Sequence, residues 1–264
     1  MSDAANEQNA RAWDVLARRQ ASLAKPAQDA DFQDPLKTVD PLSWLGSSIA
    51  GRRVLCLAAG GGRQSALYAA AGAEVVVVDN SPEMLAMDRQ VAVERGLSIR
   101  TLHASMDALP MLADGEFDIV IHPVSTCYVA DVGPVYREVA RVVRPGGLYV
   151  SQHKSPTSLQ TDICPDNTGY QLREPYYRDG PLPATGPSRV REVGTLEFLH
   201  RWEELLGGLC RAGFAIEDLV EPYHADPKSE VGTFGHRARY VAPYVRVKAR
   251  RQTDNDVASV LRLE

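Results

Sequence analysis

The sequence has little cysteine, few aromatic residues and no long apolar run. Its four cysteines, Cys56, Cys127, Cys164 and Cys210, are widely spaced and form no CxxC pair. That argues against a zinc site and leaves reduced thiols as the simplest reading. No apolar stretch approaches the ~18–20 residues of a membrane span, so no membrane partner is expected. The opening "MSDAANEQNARAWD" has no basic segment followed by an apolar one. No secretory leader is therefore expected, and the cytoplasm is the expected location. Basic excess is absent too: 29 Lys and Arg face 34 Asp and Glu, a net charge of −5, so no nucleic-acid partner is expected. No internal repeat occurs. What remains is 264 residues of ordinary globular composition, 44% hydrophobic, enough for one large domain or a domain with additions. Nothing in this composition speaks to oligomeric state.

From residue 53 the chain alternates between short apolar runs and helical patterns. "RVLCLA", "EVVVVD", "SIRTLHA", "FDIVIHPV" and "LYVSQH" read as strands. Between them "RQSALYAAAG", "SPEMLAMDRQVAVERG" and "GPVYREVARVVRPGG" read as helices. The second has Ser81 as cap, Pro82 at its first position and Gly96 at its end. The third is expected to stop at Pro145-Gly146-Gly147. Later, "RWEELLGGLCRAGF" reads as a helix, and "AIEDLVE" and "RARYVAPYVRVKA" as strands. This alternation predicts an α/β fold, a doubly wound and mostly parallel sheet covered on both faces.

The flanking segments differ. Residues 1–25 read as helical, with Trp13, Val15, Leu16 and Leu23 as apolar points, and prolines 26, 35 and 41 make the stretch up to residue 50 irregular. Residues 156–195 hold six prolines with Tyr170, Tyr176 and Tyr177, a length typical of a lid or binding insertion. The expected organisation is an N-terminal helix and irregular lid over 1–50 and an α/β core over 51–155. Beyond the core are expected an insertion covering the acceptor site over 156–200, a completing helix and strands over 201–249, and a polar tail over 250–264.

"VLCLAAGGG" places glycines directly after a buried strand, where backbone amides can approach a ligand and the next helix points its positive end. Asp79 ends the next strand, 19 residues after Gly60, close to the ~20 of a ribose-binding unit. This pair points to a ribonucleoside. The plainer alternative is a tight turn at the glycines and a helix cap at Asp79. A dinucleotide fingerprint fits poorly, because Gly60 and Gly62 would need a third glycine or alanine where Ser65 stands.

"VLCLAAGGG", "FDIVIHPVS" and "YREVARVVRPGGLYVS" together resemble three motifs of the class I S-adenosylmethionine (SAM)-dependent methyltransferases, in order and at the right spacing. The first is usually VLDLGCGTG in that family, and the last REVARVLKPGGRLVIS. The resemblance spans about residues 50–153, extends loosely to "LLGGLCRAGF", and is similar to a bacterial branch of the family. It implies a Rossmann-like fold with seven strands, the last antiparallel, and SAM as cofactor. It implies cofactor contacts at Ala58, Ala59, Gly60, Gly62, Asp79 and Asn80. Met84 would sit on the adenine face, Ser105 and Met106 at its edge, and His122 near the methyl group. Three positions depart from the family pattern: Cys56 replaces the usual motif acid, Ala58 the usual first glycine, and Ser105 the usual acid beside the adenine amine.

Methyl transfer from a sulfonium mainly needs proximity, alignment and dryness, and a base only where the acceptor starts protonated. His122, at the strand edge, is the candidate base, with Tyr128 as a second catalytic candidate. Trp13, Tyr128, His153 and His200 are the candidate substrate contacts, with Lys154 beside His153 as an attractor for an anion. No metal is expected. The function read from these residues is methyl transfer from SAM to a small-molecule acceptor. The rivals are an NAD(P)-dependent oxidoreductase and a catalytically silent SAM-binding protein.

Overall fold

The computed structural model describes residues 2–21, 24–186 and 188–253; Leu23, Pro187 and the tail from 254 lie outside it. The apolar runs form β1 (Arg53–Leu57), β2 (Glu74–Asp79), β3 (Ile99–His103), β4 (Phe117–His122) and β5 (Val143–Lys154). The last two strands are β6 (Phe214–Val220) and β7 (Tyr244–Arg251). All seven join one sheet in the order β3-β2-β1-β4-β5-β7-β6. β1 to β5 pair in parallel, and β7 runs antiparallel to both β5 and β6. Strand order reverses direction at β1, which opens a crevice at the carboxyl edge between β1 and β4.

The helices are α1 (Ser2–Arg18), α2 (Pro35–Val39), α3 (Gln64–Ala70), α4 (Pro82–Arg95), α5 (Gly133–Val142), α6 (Pro156–Gln160), α7 (Gly208–Arg211) and α8 (Phe234–Arg237). The two-residue period of β1 divides the core. Leu55 and Leu57 pack with Val135 and Val139 of α5 and Leu209 of α7. Val54 and Cys56 pack with Tyr68 of α3 and Leu85 of α4. Each such aliphatic side chain contributes ~1.5–3 kcal/mol when fully buried, so the central strand is anchored from both faces. α4 starts where Ser81 Oγ accepts the Met84 amide at 3.1 Å and ends at Gly96, whose φ of 63° suits a residue without Cβ.

Three expectations need correction. β5 begins at Val143, before the Pro-Gly-Gly turn, and pairs Phe117 with Val143 ahead of a register shift. A Cβ on Gly147 would lie 2.9 Å from the Asp118 carbonyl, so only glycine lets the shifted strand rejoin β4. The "RWEELLGG" segment is a π turn over Glu203–Gly207 leading into the four-residue α7. The Gly207-Gly208 pair is a poor helix former, and a Cβ on Gly208 would touch the Tyr136 ring at 3.0 Å. Finally, "RARYVAP" is not strand. Arg237 is buried, and its guanidinium donates to the Asp162, Ser158 and Thr161 carbonyls, which closes the C-terminal end of α6.

Candidate active site

The strand carboxyl ends open into a cavity of about 840 Å³. Its floor starts from the loop after β1. Ala58 holds a φ of 47° there, unusual for a residue with a Cβ, and its amide donates to Val78 O at 2.8 Å. The Gly60 amide donates to Asp79 Oδ2 at 2.9 Å. A Cβ on Gly60 would sit 2.9 Å from that oxygen and 2.8 Å from Met84 Cβ, so the close approach of loop, acid and α4 requires glycine. Asp79 Oδ1 accepts the Ser81 amide at 2.9 Å. Burial pushes the Asp79 carboxyl up, and the amides of Ser81 and Gly60 hold it back down. Each carboxylate oxygen keeps lone-pair capacity beyond its one amide.

One amide further, the loop meets a second acid. Gly61 N and Gly62 N both donate to Asp88 of α4, each at 3.0 Å, and Ser65 Oγ bonds the same carboxylate. Burial raises Asp88 to about 7 against these three donors. Composition gave no reason to single it out. The available signal was positional: Asp88 falls on the inward face of α4 with Met84, Val91 and Ala92, where an apolar residue would be ordinary.

α1 lies across the cavity mouth. Asn6 Nδ2 donates to Ser105 Oγ at 3.1 Å, and its carbonyl accepts from Asn80 Nδ2 at 2.9 Å. Asn9 Nδ2 bonds the carbonyls of Tyr128 and Leu196 at 2.9 and 3.0 Å, and its Oδ1 accepts the Leu196 amide at 2.7 Å. Trp13 meets the Tyr128 ring edge-on at 5.8 Å. One buried helix face thus ties the β2 end, the loop after β4 and the segment near residue 196 together.

The rest of the wall comes from Pro123, Val124, Ser125, Tyr128, Gln152, Arg189, Glu192, His224 and Tyr244. The Tyr128 hydroxyl donates to Glu192 Oε2 at 2.7 Å, and Lys154 Nζ donates to the same oxygen at 2.6 Å. Lys154 also lies 3.2 Å from Glu197, which faces Arg191 at 3.3 Å. Two cations and two carboxylates therefore close a buried network whose charges cancel. Burial pushes the Tyr128 hydroxyl up, and the nearby Glu192 charge adds to that. Burial pushes Glu197 up, while Lys154 pulls it down.

Of the sequence-derived candidates, Ala58, Ala59, Gly60, Asp79, Asn80, Met84, Ser105, Met106, Trp13 and Tyr128 all line the cavity. Gly62 does not; it lies one turn deeper, with α4 so close that a Cβ would be 2.8 Å from Val91 Cγ2. His122, His153 and His200 are not in the lining either. His122 is buried and shares a 2.7 Å hydrogen bond between Nδ1 and the Tyr149 hydroxyl, while its Nε2 has no partner among the described residues. Burial lowers it to about 3, which favours the neutral imidazole. His153 bonds Thr126 Oγ1 and Ser151 Oγ and is likewise lowered to about 3 by burial. His200 Nε2 donates to the carbonyls of Thr126 and Val129 at 2.9 and 3.0 Å. His153 and His200 brace the loop after β4, while His122 is tied to Tyr149 of β5. Lys154, expected beside His153 as an attractor for a substrate anion, is the buried centre of the charge network.

None of Tyr170, Tyr176 and Tyr177 lines the cavity. Tyr170 bonds His236 Nδ1 at 2.9 Å and Tyr176 accepts the Trp202 amide at 3.1 Å, which fastens the insertion to the body. Arg63 lines the cavity but is engaged by Asp31 through two bonds of 2.8 and 3.0 Å. Glu192, Gln152, Asn6 and Asn9 carried no sequence signal, because each acquires its role from a partner distant in the chain.

The model for a "Methyltransferase domain" family matches residues 55–151, from the first loop to the fifth strand. The chain is 35% identical over 214 residues to the uncharacterized methyltransferase YbaJ of Bacillus subtilis, covering 79% of this chain and 83% of that one. The chain belongs to the class I SAM-dependent methyltransferases. This methyltransferase is also 33% identical over 216 residues to a ubiquinone biosynthesis O-methyltransferase of Xanthomonas euvesicatoria, covering 77% and 83% of the two chains. A SAM-dependent methyltransferase of Mesorhizobium loti shares its fold, with a TM-score of 0.65, 23% identity and coverage of 83% and 100%. The methyltransferase is therefore an enzyme that uses SAM, and the dinucleotide and silent-binder alternatives fall. The cavity fits that cofactor: the glycine approach at Gly60 admits no side chain, and Asp79 stands beside it with acceptor capacity. Among the described residues no helix is long and apolar enough to cross a membrane, and no cluster could hold a metal ion.

Proposed function

We propose that the methyltransferase methylates a small organic acceptor held between α1, the loop after β4 and the segment around Glu192. The observation that carries this reading is the continuity of one cavity from Gly60 and Asp79 to Tyr128 and Glu192. The Xanthomonas relative, named for ubiquinone biosynthesis, supports a small molecule rather than a macromolecule. When bound, SAM supplies a methyl group on a sulfonium, open to in-line displacement.

The chain's own residues do the rest. Asp79 accepts ribose hydroxyls through the lone pairs its amides leave free. Met84 would pack on the adenine, and Ser105, whose hydroxyl accepts from Asn6, would face its edge. Glu192 Oε2 is engaged by Tyr128 and Lys154, which leaves Oε1 to accept a proton or hydrogen bond from the acceptor. α1, through Asn6, Asn9, Ala10 and Trp13, and the segment Ser188–Glu192 cover the cavity and exclude water, which strengthens the electrostatics inside it.

The deciding experiment incubates the enzyme with methyl-labelled SAM and a bacterial small-molecule extract, and reads by mass spectrometry which species gains the label. Label in a small molecule is expected; label confined to protein or nucleic acid overturns the reading. With the acceptor found, Glu192→Gln should lower kcat by about tenfold or more, with SAM affinity unchanged. An unchanged kcat removes Glu192 from the chemistry.

A further inference from the structure

The loop after β1 is held from beneath by one carboxylate that does not come from the strand it follows. Gly61 N and Gly62 N converge on Asp88, one on each carboxylate oxygen at 3.0 Å. Asp88 is fully buried, and Ser65 of α3 supplies a third donor. The side chain reaches the loop because α4 comes unusually near. A Cβ on Gly62 would lie 2.8 Å from Val91 and 3.0 Å from the Met87 carbonyl. The Gly61 amide is tied to α4 a second time by the Met84 carbonyl, which accepts it at 3.1 Å.

In the usual family motif, VLDLGCGTG, an acid stands at the position of Cys56. Here that position is a fully buried thiol inside an apolar cluster, with Tyr68, Leu85 and Ile121 around it. Burial holds the thiol neutral, and the Asp88 charge adds to that effect, so the carboxylate lies within electrostatic reach of the Cys56 side chain. β1 offers the loop no carboxylate, and the inward face of α4 does.

We propose that Asp88 is the positioning residue for the cofactor loop, supplying from helix α4 a carboxylate that strand β1 lacks. Two amides on one carboxylate fix the peptide planes at Gly61 and Gly62, and through them the amide face that the loop presents from Gly60. Asp88 does not line the cavity. It acts on cofactor affinity through the loop. The groups facing it are Ser65, the two loop amides, Cys56 and, more distantly, Asp79. None of them is a cation, so the Ser65 hydroxyl and the two loop amides are its counterweight. This inference rests on the SAM reading for its affinity arm only.

The test uses the full-length protein and two variants, Asp88→Ala and the double variant Cys56→Asp/Asp88→Ala, which places the acid on the strand. In cofactor-free protein, the Gly61 and Gly62 amides of Asp88→Ala should exchange with solvent about tenfold faster or more, while the β1 amides keep their protection. Its SAM dissociation constant should rise about tenfold or more. The double variant should recover affinity to within about threefold of wild type, which a merely structural loss at position 88 would not allow. Should Asp88→Ala fail to fold, Asp88→Asn serves in its place, because an amide has one oxygen for two donors. Unchanged exchange at Gly61 and Gly62, or a folded double variant that binds no better than the single one, overturns the proposal. Wild-type protein that fails to bind SAM counts against the methyltransferase reading instead, and the exchange data still decide the role of Asp88.

Discussion

Asp79 and Ala58 are the two positions where a single side chain sets the cofactor end of the site. Asp79 uses one lone pair of each oxygen on a backbone amide, from Gly60 and from Ser81. The same acid therefore shapes the loop and faces the cavity. Asp79→Ala should weaken SAM binding by about 1–3 kcal/mol, the cost of losing hydrogen bonds to a charged group, and calorimetry reads it directly. Unchanged affinity would remove Asp79 from the ribose. Ala58 carries a conformational cost at φ 47° that the family's usual glycine avoids. Left-handed backbone costs an alanine ~1–2 kcal/mol, and the extra unfolded-state freedom of glycine offsets ~0.4–1 kcal/mol of that. Ala58→Gly should therefore stabilise the protein by about 0.5–1 kcal/mol in denaturant unfolding. The glycines and Asp79 were legible in the sequence because strand, turn, helix and strand succeed one another without interruption. Asp88 was not, because an acid on a helix reads as solvated until the helix is docked.

At the scale of elements, α1 is the piece whose function is least separable from its packing. Its apolar side joins Ala17 and Trp13 to Met84 and Met87 of α4, and Asp14 bonds Ser81 Oγ at 2.6 Å. Its polar side carries Asn6 and Asn9 into the cavity wall. Removing residues 2–18 should raise the cofactor off-rate, measured by stopped-flow, because Ser105 and Asn80 lose their contacts to Asn6. An unaltered off-rate would leave α1 as packing alone. The expectation of an N-terminal helix came from Trp13 and the spacing of apolar residues. Its place over the cavity did not, since a helix pattern gives a face without saying what that face meets. The late helix and the last strand show the opposite failure. Gly207-Gly208 and Pro243 were visible, but their effect depended on Tyr136 and on the carbonyls that Arg237 closes.

For the whole molecule, the buried histidines couple folding to pH. His122 and His153 are lowered by burial to about 3, below the ordinary imidazole value near 6.5. Between these values the unfolded chain binds protons that the native state refuses. The stability from these groups is complete above about pH 6.5 and is lost as pH falls towards 3. Asp88 acts in the opposite sense, since its raised value near 7 makes the native state bind a proton that the unfolded chain has shed above about 4. A single His153→Gln variant isolates one side of this balance. Its unfolding free energy should depend less on pH between 4 and 6, by up to about 1.4 kcal/mol per pH unit, the slope of one proton. Parallel urea titrations of wild type and variant over that range check it, and identical slopes would contradict a neutral buried His153.

The sequence by itself determined the alternation of strands and helices, the glycine loop and the acid at the end of the next strand. Those features are set by neighbours a few residues apart, through period, turn chemistry and backbone approach. Tertiary structure alone decided how deep the edge histidines lie, which acid grips the loop and what Lys154 pairs with. Asn9 meets Leu196 across 187 positions and Lys154 meets Glu192 across 38, and no local pattern encodes contacts of that range. Whether a polar side chain near the sheet edge faces ligand or core depends on which segment covers it, and that is settled only when the whole chain is packed.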